Sequence, residues 1–286
     1  VNGVRITEVG PRDGLQHEKA LVPTDAKVAF VDKLSDSGVD EIEVSSFVSA
    51  KWIPQLADAS EVFARIRRVP GVVYSALVPN ERGLDAALAA QADKISVFVS
   101  ATEGFSQRNT AGTIEEVLLR LQPVIRRAHE ARRVVRGYIS CVVGCPYDGP
   151  VHPDKVASVA SRLLEMGVDE IDLGDTIGAA DGASIEALYL GLAEVVSAAA
   201  TTLHLHDTSG RAIECAVRAA QIGVRSFDAS AGGLGGCPYA PGSAGNVATE
   251  TLVSVLAQSG FASRARADQL RAAGQWMRSK IASCPP

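Results

Sequence analysis

The segment Leu203-His204-Leu205-His206-Asp207-Thr208 sets two imidazoles two residues apart. In an extended strand they share one face, while Leu203 and Leu205 take the other. Two neutral imidazoles so placed suit a divalent metal, and a structural pair satisfied by backbone carbonyls is the rival. Asp207 points away from both in an ideal strand and is better placed to cap the helix that follows. Further on, Gly232-Gly233-Leu234-Gly235-Gly236-Cys237-Pro238-Tyr239 puts four glycines in five residues beside a thiol. Such a loop either approaches a ligand and closes over it, with Cys237 as acid or nucleophile, or is a plain connector.

The elements that must carry these groups alternate along the whole chain. Apolar, β-like runs occupy 4–9, 39–47, 71–78, 93–100, 134–143, 169–174, 201–206 and 224–230. Amphipathic helical patterns lie between them at 24–37, 56–68, 80–91, 113–132, 153–166, 182–199, 209–222 and 246–259, with a last one at 266–282. Eight repeats in 286 residues average about 36 each, enough for a strand, a crossover helix and two loops. The strands run without strict alternation, as expected where both faces are buried. Thr24-Asp25 and Pro153-Asp154 read as helix starts, and Gly38, Gly167 and Gly223, each followed by Val, as helix stops. The count predicts an α/β fold, a (β/α)8 TIM barrel filling 1–286 as one catalytic domain, with 261–286 as a short helical C-terminal extension.

In such a barrel the chemistry sits at the C-terminal ends of the strands. Arg12-Asp13 follows the first strand, either as reactive groups or as a turn with a surface salt bridge. Glu43 lies within the apolar Ile42-Glu43-Val44, facing the barrel mouth or pairing with a buried cation. Asp175-Thr176 follows the sixth strand, where a capped turn is the equal reading. Cys141 and Cys145 are expected to pack rather than bind metal, and Met166 and Met277 to fill core. The zinc signatures HExxH and CxxC…CxxC are absent, as are GxGxxG and the P-loop.

Composition narrows the partners. Apolar residues are 47% and charged residues 21%, which excludes a disordered chain. A net charge of −5 without a basic block removes the footprint of nucleic-acid binding. No apolar run reaches the ~18 residues of a membrane span, and the start lacks the regions of a secretory leader. Five cysteines at irregular positions make no disulfide framework, so a cytoplasmic setting is expected.

Together these pieces resemble the 3-hydroxy-3-methylglutaryl-CoA lyase family, among the metal-dependent barrel lyases and Claisen synthases. The match runs from Glu8 through Thr249. Its most specific stretch is Gly233-Leu234-Gly235-Gly236-Cys237-Pro238-Tyr239, followed by Gly245-Asn246-Val247-Ala248-Thr249-Glu250. Gly10 through Gln16, Ser45 through Ser49, Gly144 through Tyr147, Gly174 through Gly178 and His204 through Thr208 support it. The resemblance implies Asp13, His204, His206 and Asn246 as ligands of Mg²⁺ or Mn²⁺. It implies Arg12 at the substrate's thioester carbonyl and Glu43 as a supporting or acid/base residue. It implies a homodimer, and retro-Claisen cleavage of an acyl-CoA in leucine degradation. For that reaction the thiol on the glycine-rich loop, Cys237, is the expected proton donor, with His204 next and packing beneath the loop as the alternative role. Departures are Ser49-Ala50-Lys51, where Pro usually precedes the Lys, His17 where Asn is common, and a C-terminal Ser283-Cys284-Pro285-Pro286 unlike some relatives. Rival readings are a lyase for a longer branched substrate such as isohexenylglutaryl-CoA, a condensing enzyme of the isopropylmalate synthase kind, and a dead barrel used as a binding subunit.

Overall fold

The eight apolar runs form eight strands, and each lies beside the next in the chain. They are β1 (Arg5–Glu8), β2 (Glu41–Ser46), β3 (Val73–Leu77), β4 (Lys94–Ser100), β5 (Val134–Ser140), β6 (Glu170–Asp175), β7 (Thr201–Leu205) and β8 (Ser226–Ala229). All neighbours are parallel, and β8 pairs with β1 in the register Ile6↔Phe227 and Thr7↔Asp228, closing the barrel. This computed structural model describes residues 2–236 and 245–284.

Crossover helices follow the strands: α1 (Thr24–Ser35), α2 (Ala59–Arg65), α3 (Glu81–Ala89), α4 (Glu103–Thr110), α5 (Ile114–Glu130), α6 (Pro153–Glu165), α7 (Gly182–Leu192), α8 (Ala212–Gln221) and α9 (Thr249–Gln258). The last helix, α10 (Ala267–Ser283), is the expected C-terminal element. Gly38, Gly167 and Gly223 take φ of +83°, +94° and +115°, the left-handed stop that the sequence suggested. Pro153 opens α6 as expected, with His152 as its cap. Thr24 is not a cap, however. Pro23 holds that position, and the Thr24 hydroxyl donates to Asp58 Oδ2 (2.7 Å) ahead of α2.

The strands do alternate, contrary to the sequence reading. Ile6, Ile42, Ile95, Val97, Ile139, Ile171, Leu173, Leu203 and Phe227 are fully buried in the apolar core that includes the helices. The residues between them point into the barrel, since they bond across it. Arg136 on β5 reaches Glu41 on β2 (2.9 Å), Thr7 on β1 (3.2 Å) and Asp228 on β8 (3.3 Å). Lys94 on β4 bridges Glu41 (2.6 Å) and Glu170 (2.7 Å). Both faces are buried, yet one is charged.

The C-terminal extension braces the glycine-rich segment. Arg278 on α10 donates to the carbonyls of Gly232 (2.5 Å) and Gly233 (3.1 Å). Gly274 lies so close that a Cβ there would meet Gly232 N at 2.4 Å and Ala231 C at 2.6 Å. Both obstacles are backbone, so neither can rotate away. Gly274→Ala is therefore expected to destabilise the protein by about 1–3 kcal/mol, the usual cost of overpacking. Urea unfolding checks it; an unchanged midpoint would mean that α10 does not pack there.

Candidate active site

The chain leaves β1 through Glu8, whose buried carboxylate accepts from Gly10 N (2.9 Å), Ala231 N (2.8 Å) and the Thr249 hydroxyl (2.7 Å). Burial nevertheless pushes this carboxyl up to about 8. Gly10–Gly14 then forms one π-helical turn, in which the Val9 carbonyl faces the amides of Arg12 (3.2 Å), Asp13 (2.8 Å) and Gly14 (3.2 Å). The wide turn brings two adjacent side chains, Arg12 and Asp13, into one buried site. Arg12 Nη1 meets Asp13 Oδ1 at 2.5 Å, and Arg12 Nε meets Glu43 Oε2 on β2 at 2.5 Å. The pair is 7% and 8% exposed, so the surface-salt-bridge reading fails.

His204 ends up inside the barrel on β7 with His206 just past its end, their ring centroids 5.3 Å apart. The Nε2 atoms of both lie 3.9 Å from Asp13 Oδ2. Asn246 arrives by an unexpected route. The helical pattern predicted a helix from 246, but α9 starts only at Thr249. Residues 245–248 instead run beside the strand ends: Val247 N donates to Leu205 O (3.2 Å), and Ser230 N donates to Val247 O (3.0 Å). His206 and Asn246 thus bridge, and Asn246 Nδ2 donates to Asp13 Oδ2 (2.8 Å) and Leu234 O (3.2 Å). Asn246 Oδ1 is buried without a hydrogen-bond partner among the described residues.

Charge sets the state of each group. Burial would raise the Asp13 carboxyl, but Arg12, His204 and His206 hold it well below the ordinary range. Burial opposes the Arg12 charge as well, yet Glu43 and Asp13 outweigh it and keep the guanidinium protonated. Burial and then His204 push His206 down to about 4, leaving it neutral at pH 7. Burial would also lower His204, but Asp228 and Asp13 raise it.

These donors fit a divalent cation. Asp13, His204 and His206 offer ligand atoms within 4.8 Å of one another, and the orphaned Asn246 oxygen is a fourth donor seeking a positive partner. The interior charge agrees. Arg12, Lys94 and Arg136 are ion-paired with Asp13, Glu41, Glu43, Glu170, Asp172 and Asp228. Burial and then Asp228 push the Asp172 carboxyl well above its ordinary value. These six carboxyl groups outnumber the three cations, an excess that a divalent ion would offset.

The other sequence candidates have structural partners. Asp175, the last residue of β6, accepts from Ala179 N and Ala180 N (both 2.9 Å), and Thr176 Oγ1 accepts from Cys141 N (2.8 Å). Asp207 accepts from Ala212 N (3.0 Å), tying off the start of α8 as expected. Cys141 and Cys145 are buried, and burial pushes the Cys141 thiol up to about 12. Cys237 lies outside the described residues. The sequence reading missed Tyr138, Arg136 and Asp228, whose signal was a polar residue at every second place in strands otherwise made of Val, Ile and Phe.

A closed parallel barrel with an Asp-His-His cluster among the groups gathered at its C-terminal mouth defines a barrel enzyme suited to a divalent cation. The family model described as HMGL-like matches residues 3–277, and the chain belongs to that family, which makes it a carbon–carbon lyase. It is 48% identical over 253 residues to the cytoplasmic 3-hydroxy-3-methylglutaryl-CoA lyase of Rattus norvegicus, covering 88% of this chain and 74% of that protein. The HMG-CoA lyase structure from Brucella melitensis superimposes with a TM-score of 0.97 at 49% identity, covering 99% of this chain and 100% of that one. An HMG-CoA lyase from Acenitobacter baumannii, solved with coenzyme A and 3-methylmalate, gives 0.93 at 33% identity, covering 99% and 93%.

Proposed function

We propose that this chain cleaves 3-hydroxy-3-methylglutaryl-CoA into acetyl-CoA and acetoacetate. The observation that carries the reading is the convergence of Arg12, Glu43, Asp13, His204, His206 and Asn246 in one buried site of a lyase-family barrel. Asp13, His204, His206 and Asn246 would hold the cation, Mg²⁺ or Mn²⁺, which when bound polarises and orients the substrate's hydroxyl and carboxylate oxygens. The tertiary hydroxyl passes its proton to Glu43, whose Oε1 has no hydrogen-bond partner among the described residues. The bond to the carbon beside the thioester breaks, the hydroxyl carbon becomes the ketone of acetoacetate, and the released electron pair becomes a thioester enolate. Arg12 is the fixed positive donor for that enolate oxygen. Its Nε and Nη1 are committed to Glu43 and Asp13, while Nη2 has no partner among the described residues. Glu43 supports the site by holding the guanidinium in place.

Protonating the enolate carbon completes acetyl-CoA, and we assign that proton to Cys237, with His204 next. Cys237→Ser keeps a hydroxyl of similar size but a much weaker acid, so kcat is expected to fall strongly while metal affinity stays unchanged. Normal turnover per folded molecule would move the proton to His204.

The substrate assay tests the reading as a whole. Purified protein with Mg²⁺ or Mn²⁺ should release acetyl-CoA and acetoacetate from 3-hydroxy-3-methylglutaryl-CoA, and faster than it cleaves a longer branched 3-hydroxyacyl-CoA. No cleavage of either ester would overturn it. Residues 1–286 act as one catalytic domain, with 261–286 as the brace on the glycine-rich segment. The four described cysteines are all free thiols, which suits a cytoplasmic enzyme. No helix among the described residues is long and apolar enough to cross a membrane. A homodimer is the expected assembly, checked by sedimentation.

A further inference from the structure

We propose that Asp228 is a positioning residue that fixes the tautomer and orientation of His204, so that Nε2 presents its lone pair to the cation site. The inference rests on the metal reading given above. Asp228 sits on β8 directly beside His204 on β7, and its side chain is wholly inaccessible. Its Oδ2 faces His204 Nδ1 (3.2 Å) and accepts from the Tyr138 hydroxyl (3.0 Å), while Oδ1 accepts from Arg136 Nη1 (3.3 Å). A carboxylate can only accept, so His204 Nδ1 must carry the proton. In the neutral ring the one remaining lone pair is then on Nε2, the atom 3.9 Å from Asp13 Oδ2.

Neither oxygen of Asp228 is free to swing away. Arg136 holds one, and Arg136 is itself anchored by Glu41 and Thr7. Tyr138 shares the other and sets its ring edge-on to the imidazole, centroids 6.2 Å apart at 87°. His206 has no such device among the described residues, where its buried Nδ1 has no partner. The two imidazoles are therefore unlike, one locked by a carboxylate and one held only by its surroundings. A mere counter-ion for Arg136 would need no bond to His204, and this distinction is testable.

Asp228→Asn keeps the shape but offers an N–H to His204 Nδ1, which moves the ring proton to Nε2 and aims it at the cation site. Mn²⁺ affinity, measured by calorimetry, should fall about 10–100-fold, with the metal-free melting temperature close to that of the parent. Tyr138→Phe, which leaves the carboxylate–imidazole bond intact, should fall far less. Parent-like Mn²⁺ affinity in Asp228→Asn would overturn the assignment while the metal reading stood. A parent protein that binds no Mn²⁺, or whose binding survives His206→Ala, would overturn the metal reading and the assignment with it. Should Asp228→Asn fail to fold, ¹⁵N-histidine spectra of the parent protein with Mg²⁺ decide the matter. A proton on Nδ1 of His204 supports the inference, and a proton on Nε2 defeats it.

Discussion

Arg12→Gln is expected to lower kcat by about 10²–10³ while KM changes little, because the guanidinium meets most of its demand only when charge develops on the thioester oxygen. Its donors are already aimed and its charge secured by Glu43 and Asp13, so no reorganisation is needed at the moment of reaction. Arg12→Lys should be nearly as damaging. A single ammonium cannot hold Glu43 through one nitrogen, Asp13 through a second and keep a third for substrate. Both changes also disturb a buried pairing. Gln leaves two carboxylates uncompensated, and breaking a buried pair costs about 3–5 kcal/mol. Rates must therefore be normalised to folded protein, measured by thermal melting beside the kinetics. A large rise in KM with kcat unchanged would reduce Arg12 to a substrate anchor.

Removing the cation should have the larger effect still. Stripping with a chelator is expected to abolish turnover, and Mg²⁺ or Mn²⁺ to restore it. His206→Ala should weaken Mn²⁺ binding, because Asp13, His204 and Asn246 alone make an incomplete set. The charge excess inside the barrel adds a thermodynamic signature. A cation that binds only the folded chain stabilises it by about 2.7 kcal/mol at a hundredfold excess over Kd. Melting temperature should therefore climb with Mn²⁺ concentration and stay flat in His206→Ala. Full activity in a sample verified free of metal would end the proposal.

The strands were legible because eight runs of Val, Ile and Leu recur at the spacing that crossover helices demand. The helix stops were legible at Gly38, Gly167 and Gly223 because a left-handed residue is chemically marked. By contrast, α4 was invisible. Its sequence Glu-Gly-Phe-Ser-Gln-Arg-Asn-Thr buries only Phe105 and Ser106, so it has no apolar stripe. Thr24 marked the start of α1, although its hydroxyl bonds to Asp58, thirty-four residues away, instead of capping the helix. Likewise, nothing local reveals that Asn246 bridges His206, with Val247 tied to Leu205 and Ser230, instead of opening a helix.

The site divides in the same way. His204, His206, Arg12 and Asp13 stood out because their types and spacing are rare in a strand end or a turn. Lys94, Arg136 and Asp228 are each the one charge in their strand, and a lone charge has no meaning until the barrel closes. Their partners lie on strands facing them across the interior, as Arg136 and Asp228, ninety-two positions apart, illustrate. Only the common period of two along several strands could have announced a charged lining.

The pairing of the first strand with the last has a bearing on how the protein is made. A ribosome releases the chain from its N-terminus, and domains tend to form as they emerge. Here β1 must wait for β8, and Asp13 for an asparagine 233 positions later. The first residues are fastened later still, since Val4 N donates to Ala262 O (2.9 Å). No nascent fragment that ends before Asn246 therefore owns the complete ligand set. Metal uptake becomes a report that the chain has been made past Asn246 and the barrel is shut. In a refolding experiment it should trail the recovery of helical signal, arriving with the slowest phase.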